Sequence, residues 1–402
     1  MLQSTAKAKR VNRVTAVLVD VANYGRLAPL LAELHARPTF ELDVICCGSM
    51  PLRRFGRSSN RVLEDGLFLS ADIFHEVEGS TPETMAQSCG LGVIHLAAEL
   101  RRRAPDFVIL IGDRYQALAA AVAARMVNCC LVHLQGGEQS GTIDESIRHA
   151  ITQLAHYHGP ATPAAEANLL RMMQDPGTIL GVGCPSSDLA HQVKAAGYKE
   201  HDAVVSVYHP QTTRYGAESR EMLELLSALR DLGRRVVMFW PNIDAGSDRL
   251  HKRIRQFRDQ HRADWLEMRR AETPRDYLKL LAGSPLCVGN SSSFVRDAGF
   301  FGTPVVLVGD RQQGREISDN VRRCRCVAFA ILYEAHIQLG RGRYEPSTLY
   351  GDGRVSTRFA NALERAIPYR EKRLYREPTA VGACDLETAE RLAKGGRMKG
   401  RR

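Results

Sequence analysis

Residues 112–150 read GDRYQALAAAVAARMVNCCLVHLQGGEQSGTIDESIRHA. This stretch indicates the type of fold that much of the chain adopts. Two short apolar runs, 107–111 and 129–134, flank a helix-like segment at 115–126. The runs have the length of buried strands, and charged side chains occur only where each run ends. Continuous apolar strands alternating with helices are typical of a parallel sheet that is covered on both faces.

The polar residues after these runs are candidate site residues, because ligands of parallel α/β sheets bind outside the carboxyl ends of the strands. The catalytic candidates are Asp113, Gln135, Glu138, Asp144 and Arg148, and Arg114 is a candidate for binding substrate. A simpler interpretation makes Asp113 a helix N-cap and Arg148 the i,i+4 partner of Asp144. The convergence of so many charges around one Gly-Gly turn favours a functional site.

Composition indicates an ordinary globular protein. The chain has 402 residues, of which 44% are hydrophobic and 25% charged, and a length near 400 predicts two or three domains. Its apolar runs fall short of the roughly 20 residues that span a bilayer, and the start does not resemble a signal peptide. The ten cysteines show no CxxC or zinc spacing, so we expect a cytoplasmic protein with no metal and no cofactor.

The net charge of +10 raises the question of a nucleic-acid partner. No helix-turn-helix, zinc finger or aromatic-bearing RNA motif accompanies the basic residues. Much of the charge is local, in the tail and at the end of a helix. We therefore expect no nucleic-acid and no membrane partner, and a polyanionic small molecule such as a nucleoside diphosphate accounts better for the interior arginines.

The strand–helix alternation runs twice along the chain. A first series has strands near 14, 42, 107, 129 and 179 and a helix at 144–158, and a second series begins at 203. Proline and glycine punctuate the break near 183–200. We predict an α/β protein with domains 1–184 and 185–369, the second closed by a helix at 355–367, and a basic, flexible tail at 370–402. The cleft between two such domains is a common place for a small-molecule site.

Polar segments also follow the strands of the second series. The substrate-binding candidates there are His209, Asn242, Ser291, Ser292, Asp297 and Arg311. The serines follow Gly289-Asn290 and precede a short helix, an arrangement that suits a phosphate. A single capping serine, a solvated Asp297 or a surface arginine is the simpler alternative for each.

These motifs together resemble the hydrolysing UDP-N-acetylglucosamine 2-epimerases of sialic acid synthesis, most closely the epimerase half of the bifunctional enzyme that also phosphorylates N-acetylmannosamine. The resemblance extends from about residue 14 to 367. Its motifs are GDR from 112, HLQGGEQSGTIDESIRHAI from 133, GCPSSD from 183, HPQTT from 209, PNIDAGS from 241, GNSSS from 289, GDRQQGRE from 309 and YGDG from 350.

The resemblance implies two Rossmann-like domains in the glycosyltransferase-B arrangement, with UDP held mainly by the second. It implies conversion of UDP-N-acetylglucosamine and water into N-acetylmannosamine and UDP, through elimination to a glycal and rehydration. The family's catalytic carboxylates correspond to Asp113, Asp144 and the position of Gln135. Relatives of this kind form dimers or tetramers, so a homodimer or homotetramer is expected.

Four positions depart from the family pattern. Val21 stands where the family has arginine, Asn23 where it has aspartate, Gln135 where it often has glutamate, and Phe294 where it has glycine. An amide cannot act as a base, so Glu138 is a hypothetical substitute, and Phe294 is expected to crowd the phosphate or uridine. Two alternatives follow: a related enzyme that acts on another UDP-sugar as a 2-epimerase or glycosyltransferase, and a catalytically impaired nucleotide-sugar-binding homologue.

Overall fold

The computed structural model describes residues 10–375, which form two parallel sheets of six strands each. The strands of the first sheet are β1 Asn12–Leu18, β2 Phe40–Cys46, β3 Leu69–Asp72, β4 Phe107–Ile111, β5 Cys130–Leu134 and β6 Tyr157–Gly159. Those of the second are β7 Val204–Val207, β8 Val236–Phe239, β9 Leu266–Arg269, β10 Cys287–Gly289, β11 Val305–Val308 and β12 Val321–Cys324.

Helices cover both faces of each sheet. Those of the first half are α1 Val21–His35, α2 Asn60–Glu64, α3 Pro82–Arg103, α4 Tyr115–Met126, α5 Asp144–Leu154 and α6 Pro163–Arg171. Those that follow are α7 Ser186–Ala196, α8 Glu218–Asp231, α9 Ser247–His261, α10 Pro274–Gly283, α11 Ser292–Arg296, α12 Ala328–Arg341 and α13 Val355–Arg365. The central strands are fully buried, as expected for sheets covered on both faces.

The two sheets have the same topology. The strand order is β3-β2-β1-β4-β5-β6 in the first and β12-β11-β10-β7-β8-β9 in the second, and both correspond to the order 3-2-1-4-5-6 of the Rossmann fold. The order reverses between β1 and β4 and again between β7 and β10, and ligands of such sheets bind at those points. The predicted α/β class and pair of Rossmann-like sheets are confirmed.

Two predicted elements are wrong. The helix predicted at 144–158 ends at Leu154, because the chain turns at Ala155 to enter β6. The strand predicted near 179 is reduced to an isolated pairing of Ile179 with His158. The edge strands β3, β9 and β12 were not predicted, since each has only four residues and its side chains are mostly half-buried or exposed.

The helix predicted to close the second domain, α13, packs on the first sheet. Phe359, Ala360 and Leu363 belong to the same apolar core as β1, β4 and α1. The chain therefore returns to the first half at its end, and the boundary between 184 and 185 stays a prediction. Of the predicted tail, residues 370–375 contact the first half, where Lys372 donates to the carbonyl of Thr152, and residues 376–402 lie outside the described residues. Within residues 10–375 no helix combines the length and apolarity of a bilayer-spanning segment.

Candidate active site

A cleft of about 530 Å³ lies between the carboxyl edges of the two sheets. Both halves supply its walls. Of the predicted site residues, the cleft is lined by Asp113, Arg114, His209, Asn242, Ser291, Ser292, Asp297 and Arg311. Residues predicted separately from two distant parts of the sequence therefore meet at one place, because both switch points face this cleft.

A smaller cavity of about 20 Å³ adjoins the cleft. The charged residues that line it are Asp113, Asp144 and Arg26 from the first half and Arg296, Arg311 and Arg315 from the second half. This volume is enough for one water molecule. Guanidinium groups outnumber carboxylates around it, which suits a ligand with several negative charges.

Asp113, which follows β4, is surrounded by guanidinium groups. Arg148 of α5 donates to its Oδ2 from Nε at 3.1 Å, and Arg315 of the second half lies 3.7 Å from the same oxygen. Burial alone would raise the pKa of Asp113, but these cations outweigh it and hold the pKa well below its usual range. Asp113 is therefore expected to be ionised at neutral pH.

The pKa of Asp144, the first residue of α5, is shifted in the opposite direction. Burial and the neighbouring Asp113 carboxylate raise its pKa to about 6, although Arg311 lies 3.6 Å away. Two carboxylates whose surroundings push their pKa values apart are the usual mark of an acid–base pair. The pKa of Asp144 suits proton transfer near neutral pH.

Gln135 and Glu138 line neither cavity. The amide of Gln135 donates to Cys184 Sγ at 3.2 Å and accepts from Arg26 at 3.4 Å. Glu138 accepts from Arg296 and Arg315; burial opposes its ionisation, but these two cations lower its pKa to about 2. The geometry therefore does not support Glu138 as a substitute base, since a carboxylate with so low a pKa and no access to the cleft is a poor proton acceptor.

The Gly-Gly turn between these residues has a packing role. A Cβ on Gly137, whose φ is +80°, would lie 2.1 Å from the carbonyl oxygen of Ala165 on α6. Only glycine allows this close approach. Gly141 has a similar constraint, because its Cβ would lie 2.0 Å from the carbonyl oxygen of Asp310 in the second half.

Arg26 is a site residue that sequence reasoning missed. It lies on α1, whose first turns line the cleft, and it lines both cavities. It donates to Ser292 of the second half, and no carboxylate among residues 10–375 forms an ion pair with it. Val21, in the family's arginine position, lines the cleft five residues earlier. Arg26 thus keeps a cation in this part of the cleft wall, where Val21 is apolar.

His209, at the end of β7, is held by the side chain of Asn290 and the main chain of Asn242. Asn290 clamps its main chain, accepting from His209 N at 2.7 Å and donating to its carbonyl at 2.8 Å. The Asn242 N–H donates to His209 Nδ1 at 3.2 Å, so the ring proton lies on Nε2. Burial and the cations Arg311 and Arg114 hold the pKa of His209 well below its usual range. His209 is therefore a neutral donor in the cleft wall.

The serine segment forms the wall beside His209. Ser291 caps α11, and Ser293 bonds to the hydroxyl of Tyr277 at 2.6 Å. Asp297 accepts from Ser186 at 2.8 Å, and burial raises its pKa. The expectation for Phe294 is wrong: its ring is fully buried in the apolar core of the second half, because the helical turn after the serines directs it away from the cleft.

Arg114 connects the two halves. It donates to Asp244 at 2.8 Å, and its Nε lies 3.5 Å from Asp20 at the start of α1. Close by, the Gly246 N–H donates to the carbonyl of Ser80 at 2.8 Å. The predicted substrate-binding residue Arg114 lines the cleft and is also part of an ion pair that joins the two halves.

Among residues 10–375, no three His, Cys, Asp or Glu side chains come together in a way that would hold a metal ion. A cleft between two Rossmann-like sheets, with cations beside a pair of carboxylates, has the charge and shape that suit a nucleotide sugar or a related phosphorylated ligand.

Comparison with known proteins gives the particular family. The family model described as UDP-N-acetylglucosamine 2-epimerase matches residues 32–364, and the chain belongs to this family. It is 30% identical to a UDP-N,N'-diacetylbacillosamine 2-epimerase (hydrolyzing) of Legionella pneumophila, over 89% of this chain and 97% of the relative. It is 27% identical to a UDP-N-acetylglucosamine 2-epimerase of Neisseria meningitidis, over 88% and 95%.

Solved structures agree with the fold. A UDP-GlcNAc 2-epimerase of Methanocaldococcus jannaschii, in complex with UDP-GlcNAc and UDP, superposes with a TM-score of 0.72 at 16% identity and covers 87% of this chain and 99% of its own. A UDP-GlcNAc 2-epimerase of Neisseria meningitidis bound to UDP-GlcNAc superposes with a TM-score of 0.69 at 15% identity. The arrangement of the two halves is therefore glycosyltransferase-B-like, as predicted.

Proposed function

We propose that this protein is a hydrolysing UDP-N-acetylglucosamine 2-epimerase, which converts UDP-GlcNAc and water into N-acetylmannosamine and UDP. The observation that carries the proposal is the pair Asp113, which lines both cavities, and Asp144, which lines the small cavity beside the same arginines. Asp113 is held anionic and Asp144 has a pKa near 6. Two relatives that match nearly the whole chain are named as 2-epimerases of UDP-sugars, one of them hydrolysing and the other acting on UDP-N-acetylglucosamine, which supports this class of reaction.

The first step breaks the bond between C1 of the sugar and the diphosphate. Arg26 and Arg311 and the first turn of α1 face the place where negative charge develops on the departing UDP. Asp113 remains anionic and stabilises the positive charge that forms at C1. Asp144, ionised above pH 6, accepts the proton from C2, which leaves a 2-acetamidoglycal, UDP and protonated Asp144.

The second step adds the elements of water across the new double bond. Water supplies its hydroxyl to C1 and its remaining proton to C2, on the face opposite the one from which Asp144 removed a proton. Asp144 then returns its own proton to solvent. The small cavity bounded by Asp113 and Asp144 has room for the water that this step needs. The uridine and ribose lie against the second half, where His209 and Asp297 supply a neutral donor and an acceptor.

Incubation with UDP-GlcNAc in D₂O, followed by NMR, tests this proposal. N-acetylmannosamine with deuterium at C2, together with free UDP, is the expected product. UDP release that requires an added acceptor would show a glycosyltransferase instead, and UDP binding without turnover would show an impaired homologue. Asp113→Asn and Asp144→Asn are expected to abolish turnover, with Asp43→Asn, on the ion pair with Arg103 outside the cleft, as the matched control.

A second candidate substrate is UDP-N,N'-diacetylbacillosamine. The relative that carries this name is 30% identical over 97% of its length, and the reaction at C1 and C2 is the same. Parallel assays with the two UDP-sugars at equal concentration decide between them by the ratio of kcat/KM.

We further propose that the protein is a cytoplasmic homodimer or homotetramer that acts in the synthesis of sialic or related acids. Measurement of its mass in solution tests the oligomeric state, and analysis of its products tests the pathway.

A further inference from the structure

Glu138 lies at the contact between the two halves, behind the walls of the cleft. Its side chain is 4% exposed and accepts hydrogen bonds from Arg296 and Arg315, both of which belong to the second half. Its main-chain carbonyl accepts from Arg148 Nη1 at 2.8 Å. Three guanidinium groups therefore converge on one residue that lines neither cavity.

Two of these arginines also face Asp113. Arg148 donates to Asp113 Oδ2 at 3.1 Å, and Arg315 Nη2 lies 3.7 Å from the same oxygen. Arg315 is itself 4% exposed, and its Nε has no hydrogen-bond partner within residues 10–375. Glu138 therefore holds one end of the guanidinium group whose other end approaches Asp113.

We propose that Glu138 is a positioning residue that holds Arg315 against the catalytic carboxylate Asp113 across the contact between the two halves. The proposal rests on the proposed function, because it assigns Asp113 to the reaction. Arg315 comes from the second half, so the cationic surroundings of Asp113 are completed by the contact between the two halves. A role as general base does not fit, since Glu138 faces away from both cavities.

Two variants separate positioning from simple stabilisation. Glu138→Asp keeps the charge but shortens the side chain by one methylene, and Glu138→Gln keeps the length but leaves buried guanidinium groups without a counter-charge. The second change is expected to be strongly destabilising, so Glu138→Asp is the main test. Asp43→Asn, in the half-buried ion pair with Arg103, is the matched control for lost stability.

For Glu138→Asp we expect kcat to fall about a hundredfold, the loss that a misplacement of about 1 Å can cause. KM and the Kd of UDP, measured by calorimetry, should stay close to those of the wild type because Glu138 does not line the cleft. Asp43→Asn should lower the melting temperature and leave kcat unchanged. Equal kcat values for folded Glu138→Asp and wild-type protein would overturn the proposal.

A crystal structure of Glu138→Asp with UDP provides a readout that does not depend on turnover. We expect Arg315 to lie farther from Asp113 than the 3.7 Å of the wild type, and an unchanged contact would overturn the proposal. If the wild-type protein turns over neither UDP-sugar, the proposed function fails. In that case this displacement and the unaltered UDP affinity still decide whether Glu138 positions the arginines.

Discussion

Arg114 of the first half donates a hydrogen bond to Asp244 of the second half at 2.8 Å, and the two side chains are only 7% and 5% exposed. Asp244 also accepts from Asn242 at 2.6 Å. Opening of the cleft separates this buried pair and leaves two charges without their main partners. The pair is therefore expected to favour the closed state, in which substrate is enclosed.

Loss of this ion pair should weaken nucleotide binding. Asp244→Asn leaves Arg114 buried with only Asp20, 3.5 Å away, as a partner. Truncation of one partner of a buried pair costs roughly 2–5 kcal/mol, so we expect the Kd of UDP to rise by at least about tenfold. Calorimetric titration with UDP measures it. Asp259→Asn, at an exposed carboxylate of α9, is the control, and equal Kd values for the two variants would contradict the prediction.

The pH dependence of turnover should report Asp144. Its pKa is raised to about 6 by burial and by Asp113, against the opposing effect of Arg311, and Asp244 and Arg114 also face it. A base must be ionised to act, so kcat is expected to decline as the pH falls through about 6 and to level off above it. Steady-state rates between pH 4.5 and 8.5 test this. A rate that stays flat down to pH 4.5 would exclude Asp144 as the base.

Asp144 should also lower the stability of the protein above pH 6. Its folded pKa lies above its usual value of 3.8, so the folded state binds more protons than the unfolded state between these values. The free energy of unfolding that Asp144 contributes is therefore fully present below pH 3.8 and is lost as the pH rises through about 6. We expect Asp144→Asn to be about 1–3 kcal/mol more stable than the wild type at pH 7.5. Urea unfolding at pH 7.5 and 5.0 measures this, and an equal or lower stability of the variant at pH 7.5 would refute it.

Arg26 should be needed for departure of UDP. It lines both cavities and contacts Ser292, and its charge lowers the pKa of Asp113 and opposes the rise at Asp297. Loss of a group that stabilises developing charge costs about 10²–10³-fold in kcat, which we expect for Arg26→Met, with partial recovery in Arg26→Lys. Arg275→Met, at an exposed arginine of α10 that donates to Gln192, is the control. An Arg26→Met enzyme with wild-type kcat would remove Arg26 from the mechanism.

The fold was largely predictable from the sequence, because strands buried on both faces leave uninterrupted apolar runs such as 107–111 and 305–308. The errors have local causes. β6 is three residues long and begins only three residues after α5 ends, so its residues are easily taken for a continuation of the helix. The return of α13 to the first sheet depends on contacts across almost the whole chain, which periodicity does not encode.

The site was predictable where a residue directly follows a strand, as for Asp113 and His209. It was not predictable where the function of a residue depends on its partner. Glu138 and Asp144 are both acidic residues close together in sequence, yet their pKa values differ by several units because Glu138 meets two arginines of the other half. Arg26 was missed because it lies inside a helix, although its place one turn after the altered positions Val21 and Asn23 was an available signal.

Restoring a glutamate at position 135 should not raise the activity. Gln135 is 2% exposed, lines neither cavity, and has its amide between Arg26 and Cys184. In Gln135→Glu the new carboxylate would pair with Arg26, 3.4 Å away in the wild type, and draw it from the diphosphate. We therefore expect kcat to stay the same or fall and the Kd of UDP to rise, measured by steady-state kinetics and calorimetry. The control is Gln153→Glu, on the exposed face of α5. Gln116→Glu is less suitable because Gln116 donates a hydrogen bond to Glu76. A rise in kcat of about tenfold or more, as expected for a restored general base, would show that the missing carboxylate limits this enzyme and that Asp144 is not sufficient as its base.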